Sequence, residues 1–136
     1  RGEQEMARLI ARIPQSVFVY DYDHNAPSAE HLAATHAPFF ATIRAAQPEL
    51  PVIMVGRPDF DGNPADSRAR REIIRATYDQ ARANGDARVF LVDGESLFGT
   101  SDRDACTVDG CHPNDLGFMR MAEAVRPALA AALRVS

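Results

Sequence analysis

An acid, a histidine and a proline fall within five residues in TVDGCHPNDLGF, Thr107 to Phe118. Three positions apart across a turn, the Asp109 carboxylate can reach the Nδ1–H of His112. That contact would fix the ring tautomer and leave Nε2 to take a proton from a nucleophile. Pro113 favours an extended backbone at His112 and, as the first residue of a helix, sacrifices no hydrogen bond. The imidazole would then sit at the lip of a helix, with Asn114 and Asp115 in its first turn, where polar side chains suit the dipole. The plainer reading is a turn at Asp109-Gly110 and a histidine that only caps the helix. Spacing alone does not separate the two, because short motifs match by chance often.

Other candidates follow stretches of β-favouring residues, where ligands gather in open parallel sheets. They are Asp21, Asp23, His24 and Asn25, then Arg57, Asp59 and Asp61, then Asp93 and Glu95. Asp21, Asp23 and His24 have the types to hold a divalent ion, but no second cluster supports one. The two aspartates are expected to accept backbone hydrogen bonds in their turn, so neither a metal nor any other cofactor is predicted. Arg57 and Asp59 are candidate substrate contacts, weighed against a solvated loop. Cys106 and Cys111 cannot close a four-ligand zinc site without help from elsewhere. They are read either as a small disulfide loop or as two reduced thiols, and a disulfide would place the protein in an oxidising compartment, secreted or periplasmic. His31 and His36 fall within a helical stretch and are expected at the surface.

The elements that must position these groups alternate along the chain. Met6, Leu9, Ile10 and Ile13 recur at helical steps, so a helix over 1–13 is already under way at Arg1 and a preceding segment is expected. Val17 to Tyr20, Val52 to Val55 and Val89 to Val92 are unbroken β-favouring runs, which suit strands buried on both faces. Between them lie a helix capped by Ser28, with Pro38 predicted to kink or restart it, and a helix from Ser67 to Asn84 ended by Gly85. The last helix presents Leu116, Met119, Ala122, Val125, Leu129 and Leu133 on one face, with a bend predicted at Pro127. This order predicts right-handed crossovers and a parallel sheet between helices. Three strands make a thin sheet with an exposed edge, a second sign of sequence beyond this stretch.

The bulk properties exclude several classes. With 136 residues the chain forms one domain at most, and 46% hydrophobic and 25% charged residues are ordinary for a globular protein. A net charge of −4, with all fifteen positive charges on Arg, gives no basic footprint for nucleic acid. No apolar run approaches the roughly eighteen residues of a membrane span.

The blocks VFLVDGESLFG and TVDGCHPNDLGFMRMAEAV together resemble the C-terminal half of the SGNH (GDSL-type) hydrolases, above all bacterial acyl-esterases whose block reads D-G-x-H-P-N-D-x-G. VYDYDHNAPSAEHLAATHAPFFATIRAAQPELPVIMV is similar to the third block of that family. The resemblance implies a three-layer α/β/α, flavodoxin-like fold and serine esterase chemistry on a small acyl ester, including acetylated carbohydrate. It assigns Asp109 as orienting acid, His112 as general base and then general acid, and Asn25 as oxyanion donor. The family's Ser and Gly blocks are absent: Ser16, Ser28, Ser67, Ser96, Ser101 and Ser136 stand in no G-D-S context. Residues 1–136 are therefore expected to be the C-terminal part of a single hydrolase domain that lacks its first strand. An N-terminal segment of the same protein, or another chain, would bring Ser and Gly. The alternative is a non-catalytic binding module on the same scaffold.

Overall fold

Val52, Ile53, Met54 and Val55 are all buried, as four consecutive apolar residues must be when both faces of their strand are covered. They form the central strand in a computed structural model that describes residues 1–58 and 61–134. The elements are α1 (Gln4–Ile10), β1 (Phe18–Tyr20), α2 (Ala29–Ala46), β2 (Val52–Val55), α3 (Pro64–Ala83), β3 (Val89–Val92) and α4 (Asp115–Ala132). The sheet is parallel in the order β1-β2-β3, with Phe18 beside Val52 and Val52 beside Val89.

Because strand side chains alternate, β2 feeds two cores. Val52 and Met54 face Ala7 of α1, Leu32, Phe39, Phe40 and Ile43 of α2, and Ile74 and Ala81 of α3. Ile53 and Val55 face the other way, onto Val92, Leu97 and α4. Three helices thus cover one face and a single helix the other, giving the predicted three-layer α/β/α arrangement.

Several local expectations change for physical reasons. α1 stops at Ile10 rather than Ile13, because tight three-residue bonds from Arg12 to Leu9 and Ile13 to Ile10 close it ahead of Pro14. β1 is not buried on both faces: Val19 is 42% exposed, since among the described residues β1 pairs only with β2. α3 begins at Pro64, ahead of Ser67, because the Asn63 side chain caps it and proline suits the first helical position. α2 is not restarted at Pro38, and α4 continues through Pro127; both prolines lie on exposed sides, where water can take up the freed carbonyls.

The buried face of α4 is also rotated from the predicted one. Gly117, Met121, Ala124, Val125, Ala128, Leu129 and Ala132 pack inward, while Met119 and Leu133 are about half exposed. Gly117 sets this rotation, since a Cβ there would strike the Cys106 carbonyl oxygen.

His36 is buried, not at the surface. Its ring stacks on Tyr20 at 4.5 Å and its Nδ1 lies 2.9 Å from the Thr77 hydroxyl of α3. Burial pushes its pKa from 6.5 down to about 4, so the folded chain holds it neutral. The resulting stability is complete above about 6.5 and is lost as the pH falls from there through 4, by about 3 kcal/mol in all. Urea titrations at pH 7 and pH 4 should therefore show the wild-type chain losing about 3 kcal/mol more than His36→Phe. Parallel losses in the two chains would contradict a neutral buried imidazole.

Candidate active site

The loop between β3 and α4 closes on itself before the helix begins. Val108 N–H donates to the His112 carbonyl, Asn114 N–H donates to the Cys106 carbonyl, and Thr107 bridges Pro113 in antiparallel fashion. Gly110 turns the tip at φ +85, a region that favours glycine. Within this narrow loop Asp109 Oδ1 accepts the backbone N–H of His112 at 2.8 Å and of Cys111 at 3.0 Å. Asp109 Oδ2 lies 2.7 Å from His112 Nδ1.

An ionised carboxylate can only accept, so in the neutral ring Nδ1 carries the proton and Nε2 keeps its lone pair. The backbone N–H of His112, then its ring, then the backbone N–H of Cys111 hold Asp109 down from 3.8 to about 2. The acid is thus charged across any working pH. The His112 side chain is 73% exposed, so its free nitrogen is reachable.

Pro113 is not the first helical residue. Asn114 is the cap: its Oδ1 accepts Gly117 N–H at 3.1 Å and its amide donates to the Ala105 carbonyl at 2.8 Å. The helix starts at Asp115 and Pro113 stays in the loop. His112 is therefore held by the loop's backbone bonds and not by the first turn of α4.

Asn25 lies on a short 3-10 turn, Asp23–Asn25, directly after β1, and is exposed. The turn is pinned from below. Asp23, 2% exposed, accepts Arg57 N–H at 2.9 Å and faces Arg70 at 3.3 Å. Arg70 also donates to the carbonyls of Asp23 and Ala26 and pairs with Asp66. The predicted hydrogen bond to Asp23 therefore comes from the loop after β2 and not from its own turn. With Asp23 turned inward, no ion site forms from Asp21, Asp23 and His24.

Of the two candidate substrate contacts, only Arg57 lies among the described residues. Arg57 is 9% exposed, its guanidinium donating to Ser67 Oγ and pairing with Asp66, so it ties β2 to α3. Asp59 lies outside the described residues. Asp93 and Glu95 engage Arg71 and Arg75 of α3.

No disulfide joins Cys106 and Cys111. Cys106 is buried, with Sγ near the carbonyls of Phe98 and Asp102 and 3.4 Å from the Arg120 guanidinium. Cys111 turns the other way, its Sγ 3.0 Å from His24 Nε2. Each sulfur is engaged on its own side of the loop. The His24–Cys111 contact joins the Asn25 turn to the Asp109–His112 loop across 87 residues, and no local spacing announced it. A cleft of about 470 Å³ adjoins Asp109, between Pro58, Asp61 and Gly62 on one side and Phe98, Arg103 and Thr107 on the other.

The family described as GDSL-like Lipase/Acylhydrolase matches residues 1–130. The chain belongs to this family. A structure from Bacteroides ovatus described as a GDSL-like lipase superposes with a TM-score of 0.83 at 29% identity, covering 98% of this chain and 40% of its own. The salicylyl-acyltransferase SsfX3 from a tetracycline biosynthetic pathway matches with a TM-score of 0.75 at 23% identity, covering 95% and 41%, a likeness of fold. The chain thus spans about two fifths of the length of these structures. No curated protein matches it. A GDSL-like fold accounts for the parallel sheet with polar loops gathered beyond the ends of β1, β2 and β3.

Arg70→Met should leave the Asp23 carboxylate buried without its countercharge and cost about 3 to 5 kcal/mol in urea unfolding. Adding Asp23→Asn should recover part of that loss; an unchanged midpoint in the single variant would refute the pinning. A carbon-detected titration of Asp109 should find its midpoint near 2, against an ordinary 3.8. In His112→Ala the midpoint should stay depressed, because the two backbone donors remain, and a return to the ordinary value would show that the imidazole alone sets it.

Proposed function

We propose that this chain carries the acid, the base and an oxyanion donor of a serine carboxylic-ester hydrolase whose nucleophile lies on a segment outside residues 1–136. The reading is carried by the Asp109–His112 contact of 2.7 Å, with an exposed imidazole beside the turn that bears Asn25. The family membership supports acyl hydrolysis or acyl transfer.

In this reading the Ser hydroxyl attacks the ester carbonyl while His112 Nε2 takes its proton. The charge that appears on His112 is stabilised by Asp109, already ionised and already hydrogen-bonded to Nδ1. Negative charge developing on the carbonyl oxygen is met by the Asn25 amide together with a backbone amide from the nucleophile's side. Collapse expels the alcohol, which takes the proton from His112, and water then releases the acid by the same steps in turn.

Three of the chain's own serines are engaged elsewhere. Ser28 caps α2, Ser67 holds Arg57, and Ser96 donates to the Asp93 carbonyl. Among the described residues no serine hydrogen-bonds His112. Ser136 lies outside them.

A small acyl group on a hydroxyl-rich alcohol, such as acetylated carbohydrate, fits the cleft beside Asp109, whose rim carries Asp61, Arg103 and Asp104. The charged groups of that rim can bond hydroxyls, while Pro58, Phe98 and Val108 offer apolar cover to the acyl part. Because no serine among the described residues hydrogen-bonds His112, a second reading is a binding module that does not turn over.

The test takes the chain together with its preceding segment. A fluorophosphonate probe should label a serine outside residues 1–136, and Asp109→Asn and His112→Ala should each lower kcat by about 10⁴ on an acetyl ester. No labelling, with ligand binding unaffected by both substitutions, would favour the binding module and sink the hydrolase.

A further inference from the structure

By spacing, Cys111 is either half of a small disulfide loop or a reduced thiol, and the fold gives its sulfur a neighbour that neither reading contains. His24, on the turn after β1, brings Nε2 to 3.0 Å from Cys111 Sγ. A nucleophile and a base within hydrogen-bond reach of each other are the arrangement that activates a thiol. We propose that Cys111 and His24 form a nucleophilic thiol site that takes a small-molecule disulfide and keeps half of it as a mixed disulfide on Cys111.

The thiolate, not the thiol, attacks sulfur, and an ordinary cysteine is only a few per cent thiolate at neutral pH. With Nε2 in contact the Cys111 proton has an acceptor, and once it has moved the imidazolium faces the thiolate. Two nearby carboxylates pull in opposite directions. Asp21 is within electrostatic reach of His24 and favours the imidazolium, whereas an Asp109 oxygen within 4.8 Å of the sulfur opposes the thiolate. The His24 contact is the shorter one, and the charge of Asp109 is already shared among two backbone N–H groups and the His112 ring. Cys111 is half-buried and His24 exposed, so the pair is reachable. It is also held in place: the loop of Cys111 is closed by its own backbone bonds, and His24 follows Asp23, which Arg70 and the Arg57 N–H fix in the interior.

In the exchange, His24 Nε2 takes the Cys111 proton and the sulfur attacks one sulfur of the disulfide. The new S–S bond forms as the old one breaks, and the departing thiolate takes the proton from the imidazolium. Cys111 is thereby oxidised, and the departing half is reduced to a thiol. The adduct lasts for a structural reason. The chain has two cysteines, and Cys106 is buried on the other side of the loop, against the Phe98 and Asp102 carbonyls and Arg120. Release therefore requires a thiol from solution. The Cys111 sulfur also lies within 4.8 Å of a ring nitrogen of His112, so an adduct there stands against the imidazole that ester hydrolysis uses as base. That consequence alone rests on the proposed function.

Oxidised glutathione and a chromogenic aromatic disulfide, each added to the purified chain at pH 7, should attach once per chain, read by intact mass and by one equivalent of released thiolate. Labelling should vanish in Cys111→Ser and persist in Cys106→Ser. His24→Gln should slow it about tenfold at pH 7. The two rates should converge near pH 10, where the thiol ionises without help, whereas a purely structural role for His24 would slow both alike. Circular dichroism and urea midpoints of each variant check that the fold is retained. The proposal is overturned if the wild-type chain is not labelled, if Cys106 carries the label, or if His24→Gln reacts at the wild-type rate at pH 7 or as slowly at pH 10. None of these readouts involves an ester, so their failure is separate from a failure of the hydrolase.

Discussion

The buried pair of Arg70 and Asp23 governs how the rest of the site is arranged. Taking two charges out of water costs several kcal/mol per ion unless every lone pair and proton finds a partner. Here the partners are supplied in full view of one another: Asp23 gains the Arg57 N–H, and Arg70 gains the carbonyls of Asp23 and Ala26 and the carboxylate of Asp66. Those bonds join the turn after β1, the loop after β2 and the first turns of α3. A pair of this kind is weak evidence for net stability, but it allows only one arrangement of the three segments it connects. His24 and Asn25 inherit their position from it.

The Asp109–His112 loop reaches order by a different route. It is exposed, so its charges remain hydrated, and its geometry comes from backbone donors aimed at one carboxylate oxygen. Side-chain ion pairs at a surface are worth little, whereas two fixed N–H groups impose both position and charge state. One loop is thus held from beneath by buried charge and the other from within by its own main chain. They meet at His24 and Cys111.

What could be read from the sequence follows the range of the interactions. β2 and β3 were legible to the residue, because a run of four β-favouring residues bounded by Gly or Asp is a local signal. Asp109 and His112 were legible for the same reason, since three residues of a turn contain the whole contact. β1 was not fully legible, because the cover over Val19 depends on what lies beside the sheet. The face of α4 was misread because Gly117, which looks like a helix weakness, instead admits the Cys106 carbonyl. Arg57 and His36 were misplaced because polar residues carry no sequence mark of burial, and their partners Ser67 and Thr77 lie ten and forty-one positions away.

β1 leaves a different kind of consequence. Its outer edge has no strand partner among the described residues, and beside it Met6 and Val19 line a groove of about 220 Å³ with Phe18 and Tyr20. Unpaired strand amides next to exposed apolar side chains are a template for pairing with whatever extended backbone is present. In a concentrated solution of this chain that backbone is another copy of itself. The same edge gives the sheet room to grow, and its three-residue length limits how much backbone another strand could pair with there.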